Sequence, residues 1–280
     1  MNGGADRDGP GGGTDDRPGF FIPYRHAAEV APCDYPAIAA LFAAREADFR
    51  ARTAELADFA AELAAFGGPP PAPRFAQEWF PRLDGAMAYL FVRRLRPRRI
   101  VEIGSGHSTR FMARAIRDGG LACRLLCIDP APRARLDGLP VEHRACRLEE
   151  VEEALFAELA PGDVLFVDSS HVAMPGTDVD RIVNRILPVL RAGVVVHFHD
   201  VFLPDPYPAV WAWRGYNEQL LVAGWLAAGG LEPLFASHWV ASRRPEWIAA
   251  GPLAAVRLPA GVPESSLWAV RRRGSAALTP

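Results

Sequence analysis

Residues 194–203 read VVVHFHDVFL, an apolar run that ends in two imidazoles and a carboxylate. These are the side chains that exchange protons near neutral pH or hold divalent cations. As a strand, the run places Val195, His197 and His199 on one face and Phe198 and Asp200 on the other. A second acid and a further histidine follow another apolar run, GDVLFV, in VDSSH at 167–171. If the two runs are neighbouring strands, Asp168 and Asp200 reach one cleft, where like charges raise at least one pKa unless a cation lies between them. Two arrangements relieve that repulsion. In the first, Asp168, Asp200 and His199 hold a divalent ion that orients a substrate hydroxyl and lowers its pKa. An imidazole among the ligands suits manganese, iron or zinc at least as well as magnesium. In the second, His171 or His199 pairs with a carboxylate and works as a metal-free general base. His197, deeper in the strand, reads as a core hydrogen-bonding residue, and His238 is a further candidate for the cluster. His107 belongs with the loop described next, and His26 and His143 carry no functional argument.

VEIGSGHSTR at 101–110 ends one strand and opens a helix, where glycines let the backbone approach a ligand and free N–H groups point outward. A dinucleotide fingerprint requires a third small residue three positions after Gly106, but Thr109 stands there, beside Ser108. A pyrophosphate is therefore not demanded. Asp129, closing the next strand in RLLCIDP, lies at a suitable distance along the chain to accept both hydroxyls of a ribose. The ligand expected over this loop is nucleoside-containing.

The elements that must position these groups alternate. Strand-like RRIVEI, RLLCID, PVEHRA, GDVLFVD and GVVVHFHD are separated by helical stretches through Ile116, near 149–159 and near 178–190, after a helix around 84–95. Nearly continuous apolar strands alternating with helices predict an α/β fold, a parallel sheet covered on both faces. Beyond Asp200 come a Pro- and aromatic-rich loop carrying Tyr207, Trp211, Trp213 and Tyr216, a helix near 213–228 opened by Asn217-Glu218-Gln219, and strand candidates LEPLFASHWVA and SSLWAVRR. The aromatics could wall a substrate pocket or pack under the helix.

Residues 1–19, rich in Gly, Asp and Pro, read as a disordered tail. Residues 20–73 form a helical extension and linker, and 74–280 the main domain. In the extension Phe42, Phe49, Leu56 and Leu63 recur every seventh residue, an amphipathic stripe that packs either on the main domain or on a second copy of the chain. The chain has 280 residues, half of them hydrophobic, and a formal net charge of -2. Such a balance argues against a nucleic-acid binder driven by phosphate contacts. With no run of the roughly 18–20 apolar residues that a membrane span needs and no signal peptide, no membrane partner is expected. Four cysteines without a C-x-x-C pair fit a reducing cytoplasm.

Together, Glu102-Ile-Gly104-Ser-Gly106, the acidic strand end Asp129, VDSSH at 167–171 and HFHDVFLPDPYP at 197–208 resemble the class I S-adenosylmethionine-dependent methyltransferases, over roughly residues 79–240. Within that superfamily they look most like a bacterial small-molecule branch related to the metal-assisted O-methyltransferases. The resemblance implies a Rossmann-like, doubly wound, mostly parallel seven-stranded sheet. It further implies that Gly104, Ser105 and Gly106 wrap the methionine portion of the cofactor, with His107, Ser108 and Thr109 completing the loop. Glu102 would face the amino group or fix the loop, Asp129 would take the ribose, Arg147 and Leu148 would border the adenine, and Asp168 would reach the cofactor's edge. The metal-assisted relatives pair an acidic or amide residue with the fifth-strand aspartate; here the pair is His199-Asp200, a departure. The expected activity is O-methylation of a small molecule by direct displacement. A nicotinamide-dependent oxidoreductase is the alternative, against which Thr109 and the absence of any lysine count. A non-catalytic assembly module working through the N-terminal helix is the other.

Overall fold

The computed structural model describes residues 24–26 and 29–272. The described residues divide into two units, one up to residue 31 and a second from residue 32 to 272. A short turn around His26 is described in the first. The expected disordered tail, 1–19, lies outside the described residues.

The second unit is built on one seven-stranded sheet: β1 Arg99–Ile103, β2 Arg124–Ile128, β3 Glu142–Arg144, β4 Val164–Val167, β5 Val195–Phe198, β6 Leu231–Ala236 and β7 Leu267–Arg271. The spatial order is β3-β2-β1-β4-β5-β7-β6. The first five strands are parallel, and β7 inserts antiparallel between β5 and β6. β4 and β5 are buried at every residue, as expected of apolar runs covered on both faces. The order reverses beside β1, so its carboxyl end and that of β4 open on one crevice. There the chain is pinned at close range: Gly104 N–H donates to Ile128 O at 3.0 Å and Asp168 N–H to Ile103 O at 2.9 Å. The α/β fold expected from the alternation, and the Rossmann-like, mostly parallel seven-stranded sheet implied by the resemblance, are thus the fold observed.

Three readings differ in detail. The helical extension is broken more than once: Pro36–Ala44 and Glu46–Ala54 meet at Arg45, whose φ of -105° and ψ of 7° break the helical path before a 3₁₀ turn and Ala60–Ala64. A strict seven-residue stripe drifts around a straight α-helix by about 20° per heptad. The breaks keep Phe42, Phe49, Leu56 and Leu63 all turned inward, each no more than 2 % exposed. Phe42 meets Trp239 and Phe49 meets Phe235, both at 5.9 Å between ring centroids. The stripe therefore covers the body of its own chain, not a second copy. Phe49→Ala is expected to lower stability by about 3–5 kcal/mol, to be read from urea unfolding.

Second, the strand candidate at 231–241 stops at Ala236, and Ser237–Arg243 is a helix. Its few alternating residues fit either period. Third, the helices expected near 149–159 and 213–228 are shorter, at Ala154–Ala157 and Glu218–Ala227. The aromatic segment Ala209–Arg214 is a separate 3₁₀ turn ended by Gly215 at φ 64°. Among the described residues no helix is long and apolar enough to cross a membrane.

Candidate active site

At the end of β1 the chain bends under a steric limit. Gly104 has φ 77°, and a Cβ placed on it would stand 1.8 Å from the carbonyl oxygen of Asp168. The loop then turns into the helix His107–Asp118. Asp129 ties it from β2, its two carboxylate oxygens accepting the N–H groups of Ser105 at 2.6 Å and Ala131 at 2.7 Å. Half-exposed, Asp129 keeps lone pairs free toward the crevice.

Of the two roles open to Glu102, the geometry shows that of fixing the loop. The side chain is fully buried and accepts hydrogen bonds from Ser108 Oγ and Thr109 Oγ1, both at 2.6 Å, and from Cys127 Sγ at 3.2 Å. Ser108 and Thr109 thus point inward, although sequence reasoning assigned them to the ligand. Burial raises the Glu102 pKa to about 7 against the opposing pull of those donors. A folded pKa above the unfolded one means a stabilising contribution that is complete at pH 4 and lost as pH rises toward 7. Glu102→Gln is expected to flatten that part of the pH–Tm curve by differential scanning fluorimetry. His107 is held neutral, its pKa pushed down to about 4 by burial and then by the charges of Arg110 and Arg74. Leu148 is buried and Arg147 exposed, on a 3₁₀ turn past β3.

The polar cluster lies across the same crevice, on the tips of β4 and β5. His199 Nδ1 stands 3.5 Å from both Asp168 Oδ1 and Asp200 Oδ1. His171 Nε2 stands 3.4 Å from Asp168 Oδ1 and 3.6 Å from Asp200 Oδ2. Behind each imidazole is a fully buried carboxylate: Glu218 Oε2 lies 2.9 Å from His171 Nδ1, and Asp84 Oδ2 lies 3.4 Å from His199 Nε2. Two carboxylate-backed imidazoles therefore converge on one pair of aspartates. His171 and Asp200 adopt φ 61° and 54°, a region that non-glycine residues enter at a cost, and one where strain gathers at functional sites.

Each backing acid is itself positioned. Asp84, in the first turn of the helix Arg82–Leu95, accepts the backbone N–H groups of Ser265 at 2.9 Å and Ser266 at 3.0 Å. Beside it Glu264 receives Leu83 N–H at 2.7 Å and both Nε and Nη2 of Arg82 at 2.9 Å. Glu218 opens the helix Glu218–Ala227, whose start is anchored by N–H donation from Asn217 to His171 O at 3.0 Å.

The charges follow from this packing. Burial alone would lower the pKa of each imidazole, but the facing acids outweigh it. His171 is held well above its usual value by Asp168, Glu218 and Asp200, and His199 by Asp200, Asp168 and Asp84. For Asp168 burial works upward, and the charges of His199 and His171 more than reverse it, holding the carboxyl far below its usual range. His197 is different: burial and the charge of His199 hold it neutral, stacked on Phe166 at 3.7 Å, with Nε2 2.9 Å from Ser266 Oγ. His197 is thus a core residue, as its depth in the strand suggested. His238 is not part of the cluster, since it pairs with Asp205 at 2.7 Å.

Asp84 was missed from sequence, and Glu218 was seen only as the start of a helix near the cleft. An acid at 84 in line with Ala88 and Phe91 on a buried helix face was the available signal. Among the described residues no group of three His, Cys, Asp or Glu side chains stands as a ready metal site. The gap between Asp168 and Asp200 is bridged instead by the imidazoles.

His199 and Asp200 also line a cavity of about 270 Å³, walled by Trp79, Pro81, Trp211 and Val262 and bearing Glu78 and Arg214. Of the aromatic segment, Trp211 reaches this cavity, Trp213 is 80 % exposed, and Tyr216 packs on His171 at 4.6 Å.

Residues 101–201 match the family described as a methyltransferase domain. No curated protein matches the chain. Among solved structures it is similar to an SAH-bound methyltransferase of Podospora anserina, at 18 % identity over 91 % of this chain and 100 % of that one, with a TM-score of 0.45. It is also similar to an O-methyltransferase of Streptomyces achromogenes involved in tomaymycin synthesis and crystallised with SAM, at 22 % identity over 65 % and 80 % with a TM-score of 0.40. An O-methyltransferase of Bacillus cereus in complex with SAH aligns at 17 % identity over 89 % and 96 % with a TM-score of 0.36. These are distant likenesses.

Proposed function

We propose that the chain, whose residues 101–201 match a methyltransferase domain, is a class I, S-adenosylmethionine-dependent methyltransferase that methylates a hydroxyl of a small molecule by direct displacement, with His199 taking the proton. The observation that carries this reading is that His199, backed by Asp84, lines a cavity of acceptor size beside the crevice at β1 and β4. The cofactor fits the residues present. Gly104 lets the end of β1 close against Asp168 on β4 and so shapes the crevice, Asp129 retains acceptor capacity for a ribose, and Ser105 and Gly106 lead into a helix N-terminus. When bound, S-adenosylmethionine supplies an electrophilic methyl on a sulfonium.

Asp168, at the tip of β4, stands at the crevice in contact with both imidazoles. In the free protein His199 holds a proton, because Asp200, Asp168 and Asp84 surround it. With a positive sulfonium bound in the crevice, His199 would release that proton to solvent, since a like charge lowers imidazole proton affinity. Neutral His199 would then accept at Nδ1 the proton of the acceptor hydroxyl, whose oxygen would take the methyl as S-adenosylhomocysteine leaves. Asp84, 3.4 Å from His199 Nε2, would balance the charge that the ring gains, and His171 with Glu218 would hold Asp168 and Asp200 in place.

A second reading is favoured by the charge count. With all four carboxylates ionised and both imidazoles protonated, the cluster of Asp84, Asp168, Asp200, Glu218, His171 and His199 retains two negative charges. Asp168, Asp200 and His199 would be the ligands of a divalent ion, magnesium, manganese, iron or zinc. Such an ion would lower the pKa of the acceptor hydroxyl. The unpaired cysteines among the described residues support a reducing, cytoplasmic setting.

Calorimetric titration with S-adenosylmethionine is the test, with a Kd of about 1 μM–1 mM expected. No binding at millimolar cofactor would end the reading. Manganese titrated in a second arm, with and without Asp168→Asn, separates the ion from the imidazole base.

A further inference from the structure

On the methyltransferase reading, we infer that the acceptor is a planar, single-ring hydroxyl compound bearing a carboxylate or equivalent anion, which Arg214 binds. The cavity that His199 and Asp200 floor is about 270 Å³, at or just under the small end of ordinary ligand pockets. Its lining includes the planar indoles of Trp79 and Trp211, with Pro81 and Val262. Trp79 is 51 % exposed at this cavity, with the Arg133 guanidinium 4.3 Å from its ring centroid. A planar ring matches such walls by stacking.

Arg214 carries the argument for charge. Its guanidinium lies 4.0 Å over Trp211, and Nη1 donates to Tyr216 Oη at 3.2 Å. Its Nε is buried and has no hydrogen-bond partner. Among the described residues no carboxylate forms an ion pair with it, although it lines the same cavity as Asp200 and Glu78. A guanidinium stacked on an aromatic face presents its remaining N–H groups in a planar fork suited to a carboxylate. The stack also fixes the fork before binding, so little further entropy is lost when an anion arrives. Glu78, exposed at the same cavity, points to the opposite acceptor chemistry, an amine, and so sets the alternative that the experiment must exclude.

The experiment titrates three isosteric probes, 4-hydroxybenzoate, 4-hydroxybenzamide and 4-hydroxybenzylamine, into the full chain with and without saturating S-adenosylhomocysteine. The carboxylate should bind about tenfold or more tightly than the amide, as a charge-assisted hydrogen bond predicts, and the amine least. Arg214→Gln should bring the carboxylate-to-amide ratio to about one while S-adenosylhomocysteine affinity stays unchanged, and Glu78→Gln should leave the ratio intact. The inference is overturned if the amide or amine binds as well as the acid, if the preference survives Arg214→Gln, or if no probe binds at millimolar concentration. Failure of the underlying reading shows separately, as absence of S-adenosylhomocysteine binding.

Discussion

Replacing His199 by glutamine is expected to slow methyl transfer by roughly 10²–10⁴-fold, the contribution of a positioned general base, while the Kd for S-adenosylmethionine stays within about twofold. The imidazole Nδ1 stands at the two aspartates and the ring lines the acceptor cavity, whereas the cofactor loop is held by Glu102 and Asp129 without it. A base that holds its proton at neutral pH gives a pH–rate profile of unit slope, rising with pH and levelling off above the usual imidazole value of about 6.5. Asp84→Asn removes one of the acids that raise the His199 pKa. Its profile should therefore level off at lower pH, a shift that loss of packing alone would not produce. Stopped-assay initial rates from pH 5.5 to 9.5 read both effects. A flat profile in the parent protein, or an unmoved one in Asp84→Asn, would refute the imidazole base and leave the divalent ion as the reading to pursue.

The same cluster sets how stability responds to pH. His171 and His199 have raised folded pKa values, so their contribution is complete below about pH 6.5, the unfolded value, and is lost as pH rises through the folded ones. Asp84 and Asp168 are depressed, so theirs is complete above about pH 4 and lost on acidification. Maximum stability of the free protein should fall between those limits.

Gly104→Ala should have the second large effect, a loss of about 2–5 kcal/mol together with loss of cofactor binding. The methyl would fall 1.8 Å from Asp168 O and sit on a backbone at φ 77°, so both the overlap and the strain must be relieved by parting β1 from β4. That parting displaces Asp168 from the two imidazoles. Gly120→Ala is the control: its φ is 54° with no atom within 4 Å of the added carbon, and strain alone should cost about 1 kcal/mol. Thermal unfolding and calorimetry with S-adenosylhomocysteine measure both. Equal behaviour of the two variants would show that the close approach of Gly104 to β4 is not what shapes the crevice.

The order of strands and helices, the glycine turn and the acid at each strand end were legible in the chain itself, because each is a local property. Continuous apolar runs report burial on both faces, a Gly-x-Gly after a strand reports a tight turn, and polar residues ending such a run report the sheet's edge. By the same logic the depth of His197 within its run set it apart from His199. Pairing across distance was not legible. Asp84 and Glu218 lie 115 residues before His199 and 47 after His171 in the sequence, and only the folded sheet brings each behind its imidazole. Tertiary structure also decided that Ser108 and Thr109 turn inward to Glu102, since a helix start presents hydroxyls to ligand or to core with the same spacing. It decided the protonation of the histidines as well: burial opposes charge on all three, and direct contact with three carboxylates each, which His171 and His199 have and His197 lacks, settles which of them carries it.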